Sequence, residues 1–171
     1  MESQDRVVKI SLLAGLGVVL YTVENFLPTP FPWLRIGISN VAILLALYTF
    51  GFRGALWVFG LKILLGSFIA GRLFSPFFFF ALGGGGVSLM IMGIAKRLFS
   101  PPLSIVGVSM LGGVSHNITQ LFIAYLLLFP YPQLLFLVPI LTLLGLATGS
   151  IIGIISLMVL KRLEWKRREY A

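Results

Sequence analysis

Six apolar stretches, at residues 9–26, 36–50, 54–70, 76–95, 102–129 and 134–160, alternate with short connections of proline, glycine or cations. That rhythm decides the class of fold, because an apolar helix of about 20 residues is what crosses a ~30 Å hydrocarbon core. The chain is 58% hydrophobic and 11% charged, with a mean hydropathy of +1.05, outside the range of water-soluble domains. The expected fold is all-α, a six-transmembrane-helix bundle forming a single membrane domain over residues 1–171. The first run, Ile10 to Leu20, has the length of a signal-peptide core, but Glu24-Asn25-Phe26-Leu27-Pro28 follows without a small-residue cleavage site, so it is kept as a helix.

The connections carry their own signals. Leu27-Pro28-Thr29-Pro30-Phe31-Pro32-Trp33 cannot be helical, since alternate prolines remove backbone donors and force extended geometry. It is expected as a stiff loop with Trp33 at the membrane interface. The span after it, 36–50, has 15 residues and covers only roughly 22 Å. Gly51-Phe52-Arg53-Gly54 then turns into the third span. Ser75-Pro76 and Ser100-Pro101-Pro102 each place a capping side chain before proline, a helix start. The span at 134–160 carries a small-residue face of Gly145, Gly149 and Gly153, suited to close helix packing.

Six crossings put both termini on one side of the membrane. That side holds ten cations: Arg6, Lys9, Arg53, Lys96, Arg97, Lys161, Arg162, Lys166, Arg167 and Arg168. The other side has Arg35 and Arg72, with Lys62 inside a span. The positive-inside rule then places both termini in the cytoplasm, and it accounts for the net charge of +8 better than nucleic-acid binding does. The tail from Lys161 onward is expected to lie on the lipid surface.

Gly112-Gly113-Val114-Ser115-His116-Asn117-Ile118-Thr119-Gln120 is a polar run inside an apolar span. On a helix Ser109, Gly113, His116 and Gln120 follow 4, 3, 4 spacing and share one face, which can line a cavity. An ionisable group at mid-span normally faces the bundle interior, because exposing it to lipid costs about 2.5 kcal/mol or more. Lys62, His116, Asn117 and Gln120 at mid-depth, with Glu24, Asn40, Arg35 and Arg72 toward the outer side, describe a pocket suited to an anionic or strongly polar small molecule. Plainer roles stand beside this one. Glu24 can pair with Lys62 or Arg72 to fix helix packing, His116 can bond a neighbouring carbonyl, and Arg35 and Arg72 can snorkel to headgroups. The echo between Gly37-Ile38-Ser39-Asn40 and Gly113-Val114-Ser115-His116-Asn117 is what related halves would leave, but so short a match does not establish a repeat.

Several chemistries fail on supply. There are no cysteines and one histidine, so no thiolate or His-Glu-x-x-His metal site can form. Holding Mg²⁺ for diphosphate chemistry needs clustered carboxylates, and the membrane portion offers Glu24 alone. No Gly-rich Lys-Ser/Thr phosphate loop is present. Ser115 and His116, adjacent on a helix, diverge by about 100° and cannot act as nucleophile and base. No cofactor and no enzymatic activity are expected.

Taken together, Leu27-Pro28-x-Pro30-x-Pro32-Trp33-Leu34-Arg35-Ile36-Gly37-Ile38-Ser39-Asn40, Lys62-Ile63-Leu64-Leu65-Gly66-Ser67, Phe74-Ser75-Pro76, and the run from Leu103 to Asn117 resemble the bacterial Gx transporter family, also called heptaprenyl diphosphate synthase component I. More distantly, Tyr21-Thr22-Val23-Glu24 and Leu34 to Asn40 look like the first two helices of the S components of energy-coupling-factor vitamin transporters. The resemblance implies six helices in a bacterial cytoplasmic membrane, capture of a vitamin-like solute from outside, and docking on a coupling transmembrane subunit served by ATPases. Docking in that family uses a small-xxx-small surface on the first helix, which would fall here on Ala14 and Val18. The expectation ranked first is a substrate-binding subunit. The alternatives are a non-catalytic membrane component for prenyl diphosphate or quinone synthesis and a proton-coupled carrier using Glu24 and His116.

Overall fold

The computed structural model describes residues 2–26, 34–99 and 103–169, with side chains from 4 to 163 within those ranges. The expected loop from Pro28 to Trp33, the Ser100 cap and the basic side chains from Lys166 onward lie outside them. The described residues are helical and contain no strand. The helices are α1 (Glu2–Glu24), α2 (Asn40–Ile69), α3 (Pro76–Phe99), α4 (Ile105–Leu127) and α5 (Val138–Glu169), with a 3-10 turn at Pro132–Leu137 before the last.

Among the described residues five α-helices stand where six were expected, because the spans foreseen at 36–50 and 54–70 both fall in α2. Its backbone leaves helical geometry at Gly51, with φ 76° and ψ −173°, a conformation that only glycine adopts without strain. α2 folds back there. Asn40 and Lys62 would be about 33 Å apart along a straight helix, yet their side chains are hydrogen-bonded at 2.9 Å. The reversal exposes carbonyls at the end of the first arm, and cations cover them: Lys96 Nζ donates to Leu47 O at 2.7 Å and Arg6 Nη2 to Phe50 O at 3.3 Å. The first arm starts at Asn40 rather than 36, so it is shorter still than the sequence suggested. Every residue from Ser39 to Leu47 is buried, which is why this arm is apolar all round.

α3 begins at Pro76 as expected. α4 begins at Ile105, later than the 102 read from the sequence, and its cap is Ser104, whose Oγ accepts from Gly107 N at 3.1 Å. Pro139 sits in the first turn of α5, where a missing N–H does no harm.

α4 and α5 pack backbone on backbone. A Cβ on Gly149 would lie 2.6 Å from Ser109 O, and one on Gly153 would lie 2.7 Å from Val106 Cα, so the glycines recurring every four residues on α5 are what allow the approach. This corrects the single polar face foreseen on α4. Ser109, Gly113 and Asn117 turn toward α5, where Asn117 Nδ2 donates to Leu141 O at 3.0 Å. Gly112, His116 and Gln120, also four apart, turn toward α3.

Among the described residues four helical segments are long and apolar enough to cross a membrane: Gln4–Glu24, Asn40–Ile69, Pro76–Phe99 and Pro132–Leu163. α4 is not among them. It is the helix that carries buried Ser109, His116, Asn117 and Gln120.

Candidate functional site

The charged side chains foreseen near mid-depth meet in one buried chamber. Its walls are Tyr21 and Glu24 from α1, Arg35, Gly37, Ser39 and Asn40 from the segment entering α2 and its first residue, Lys62 and Ile63 from the second arm of α2, Ala81 from α3 and His116 from α4. Glu24, Lys62 and His116 are each 5% exposed or less, and Arg35 is 8% exposed.

Glu24 is held from two sides. Gly37 N donates to Glu24 Oε1, and Ser39 Oγ donates to Oε2 at 3.2 Å. Gly37 presents that N–H because its φ is +83°, and a Cβ there would come within 3.0 Å of Asn40 Nδ2. Lys62 therefore reaches Glu24 through a hydroxyl rather than directly: Nζ donates to Ser39 Oγ at 3.1 Å and to Asn40 Oδ1 at 2.9 Å.

A second chain of bonds fixes the tautomer of His116. Arg35 N can only donate, so Gln120 Oε1, 3.1 Å away, accepts from it and the amide nitrogen of Gln120 faces the imidazole. Gln120 Nε2 lies 3.0 Å from His116 Nε2. Nε2 must then accept, and the ring proton resides on Nδ1. Nδ1 has no hydrogen-bond partner among the described residues. Gly84 makes space for this pair, since a Cβ there would lie 2.9 Å from Gln120 Cγ and 3.1 Å from His116 Nδ1.

Arg35 is the least satisfied group. Its guanidinium carbon lies 4.4 Å over the centre of the Tyr21 ring, a favourable stack, but Nη1 and Nη2 have no hydrogen-bond partner among the described residues. Tyr21 is itself anchored by a 2.8 Å bond to Ser67 Oγ, and Gly66 leaves room for the ring, a Cβ there being 2.5 Å from Tyr21 Cδ1.

The sequence-derived set thus divides. Glu24, Arg35, Asn40, Lys62 and His116 line the chamber, and Gln120, fully buried, braces it. Two residues are elsewhere. Asn117 is committed to α5, and Arg72 donates to Asn25 Oδ1 at 3.1 Å and lies 4.9 Å over the Phe77 ring. Nor is Arg72 the partner of Glu24. Ala14 is 3% exposed and belongs to the core, while Val18 is half-buried, so the small side chains that α1 leaves exposed are Ser11 and Gly15. Tyr21, Gly37, Ser39, Ser67 and Ala81 were not assigned roles from sequence. Tyr21 could have been, standing one turn before Glu24 on the same face.

The arrangement is an anion-attracting one, with two cationic side chains and a buried N–H against a single carboxylate whose oxygens are already engaged. Among the described residues no three His, Cys, Asp or Glu side chains gather as a metal site would require.

The fold defines the class. A solved structure described as the S component of a bacterial ECF transporter superposes with a TM-score of 0.73 over 95% of this chain and 96% of that one, at 22% sequence identity. The helices and their arrangement are those of an S component fold in a multi-pass membrane protein. The family model for heptaprenyl diphosphate synthase component I matches residues 13–159, and the chain belongs to that family. No curated protein sequence matches the chain.

Proposed function

We propose that this protein is the substrate-binding membrane subunit of a small-molecule uptake transporter, and that its chamber receives a polar or anionic, vitamin-like solute from outside the cell. One observation carries the reading: the Arg35 guanidinium, buried on the Tyr21 ring with both terminal nitrogens unpartnered among the described residues, lines the same space as Lys62 and His116. Burying such a group without a partner costs several kcal/mol, and structures keep it where a ligand will complete it.

With the two arms of α2 counted separately the chain crosses the membrane six times. Both termini and the cation-rich end formed by Arg6, Lys9, Arg53, Lys96 and Arg97 then face the cytoplasm, and the chamber lies in the outer half. The space between its side chains is ≈ 10 Å³, whereas sites for organic solutes measure roughly 300–1,000 Å³. Solute entry therefore requires the lining residues to move apart, and the structure corresponds to a closed form. A coupling transmembrane subunit driven by ATPases would dock on the lipid-exposed face of α1, where Ser11 and Gly15 take the place expected of Ala14 and Val18. Glu24, Lys62, Arg35, Asn40 and His116 would contact the solute, with Gln120 positioning His116.

The family description favours a second reading, a non-catalytic membrane component associated with heptaprenyl diphosphate synthesis. Mass spectrometry of small molecules retained on the purified protein separates the two. An acidic or polar solute present on the wild type and missing from Lys62→Met supports capture. Protein free of any solute but co-purifying with a prenyl synthase contradicts it.

A further inference from the structure

We infer that the groove between the α2 turn and the end of α3 holds one anionic phospholipid of the cytoplasmic leaflet, with its phosphate on Lys96 and Arg97 and an acyl chain along the apolar wall. The groove lies at the far end of the first α2 arm from the chamber. Its volume is ≈ 530 Å³, within the roughly 300–1,000 Å³ of sites that take an organic ligand. Phe52 from α2 and Met90, Gly93 and Ile94 from α3 form apolar walls, and Lys96 and Arg97 follow in the last turn of α3. Gly93 shapes the wall, since a Cβ there would lie 2.6 Å from Phe52 Cδ2, so the ring can rest on the α3 backbone.

From Met90 to Arg97 the lining runs about 10 Å along the helix axis, apolar first and cationic at the helix end. That is the polarity of a lipid standing in one leaflet, head at the surface and chain inward. Lys96 is fixed in place: Nζ donates to Leu47 O at 2.7 Å and lies 4.5 Å over the Tyr48 ring, which leaves two of its three donors without an acceptor among the described residues. Arg97 is exposed and has no hydrogen bond or ion pair among them. The carboxylates among the described side chains are Asp5 on α1 and Glu24 in the chamber, and neither pairs with these cations. A lipid phosphate supplies the missing acceptors. A zwitterionic lipid brings a cation of its own to the same place, and a free phosphate leaves the apolar walls uncovered. Because Lys96 also holds Leu47 O, the lipid phosphate fastens the end of the first α2 arm. The inference rests on the placement of the bundle in the membrane and not on solute capture, so the two can fail separately.

The test is native mass spectrometry of the purified full chain in neutral detergent, offered equimolar phosphatidylglycerol and phosphatidylcholine with the same acyl chains, for the wild type, Arg97→Gln, Ile94→Trp and Arg162→Gln. Ile94 is 53% exposed, and Arg162 is exposed on α5 outside the groove, so these variants keep the fold. The expected result is wild type that retains phosphatidylglycerol about tenfold over phosphatidylcholine. Retention should fall about fivefold in Arg97→Gln, where one cation is gone, and at least as far in Ile94→Trp, where the groove is filled. It should stay within about twofold in Arg162→Gln. Equal retention of the two lipids, or an equal fall in Arg97→Gln and Arg162→Gln, overturns the inference. So does inorganic phosphate bound in place of lipid, or lipid-free protein that pairs with a second copy through this face, read as a disulfide-linked dimer of Ile94→Cys.

Discussion

Lys62 Nζ donates to Asn40 Oδ1 at 2.9 Å although the two residues belong to the same helix, twenty-two positions apart. The bond closes the α2 hairpin and also fixes the cation of the chamber. Fold and site thus share a residue. Removing the cation alone leaves Glu24, Ser39 and Asn40 buried without it, and breaking a buried charge network from one side costs about 3–5 kcal/mol. Lys62→Met should therefore unfold below the wild-type temperature, while solute retention on the folded variant falls at least tenfold, a drop of about 1.4 kcal/mol in binding. Thermal unfolding paired with mass spectrometry of the retained solute checks both. A stable variant that keeps its solute contradicts the role given to Lys62.

Gln120 links two elements that are 85 residues apart in sequence, Arg35 and α4. Gln120→Leu leaves a buried backbone N–H and the His116 ring without their partners, each a loss of about 1–3 kcal/mol. The expected outcome is a destabilisation of about 2–6 kcal/mol in reversible unfolding. Gln120→Glu keeps the acceptor for Arg35 N but loses the donor to His116, and should fall between the two.

Two glycines on helices give opposite outcomes. At Gly84 an added Cβ meets Gln120 Cγ at 2.9 Å and His116 Nδ1 at 3.1 Å, while at Gly60 nothing lies within 4 Å. Gly60→Ala should stabilise by about 0.5–1 kcal/mol through helix propensity. Gly84→Ala should forfeit that gain and weaken solute retention by displacing His116. Unfolding midpoints of the two variants, measured side by side, test this.

Much of the fold was legible because apolar length and proline placement are local properties. Pro76 at the head of α3 and the glycines of α5 could be read directly. The α2 hairpin was legible as two spans, since Gly51 lies in a short Gly-Phe-Arg-Gly turn, but not as one helix assignment broken at a single residue. The chamber was legible in part. Glu24, Lys62 and His116 announce themselves because charge inside lipid needs a reason, whereas the polar residues of α4 divide between two faces according to where α5 packs. Helical spacing alone cannot supply that. His116 and Gln120 stayed together because they are four apart, and Asn117, one position on, was taken by a carbonyl of α5.

Asn117 and Arg72 make the reciprocal prediction. Asn117→Ala removes the bond to Leu141 O and should cost about 1 kcal/mol of stability. Arg72→Ala removes a half-buried contact with Asn25 at the end of α1. Neither should change solute affinity more than about twofold, which corresponds to roughly 0.4 kcal/mol, whereas His116→Ala should weaken it tenfold or more. Binding isotherms for the three variants check the division of the polar residues.

The measurement that bears most directly on the account is an experimental structure of the protein purified with its retained solute. Solute density is expected between Tyr21, Arg35, Lys62 and His116, with an acidic or polar group on the Arg35 guanidinium and the chamber wider than ≈ 10 Å³. Solute density elsewhere, with these side chains holding the same contacts as in the closed form, would contradict it.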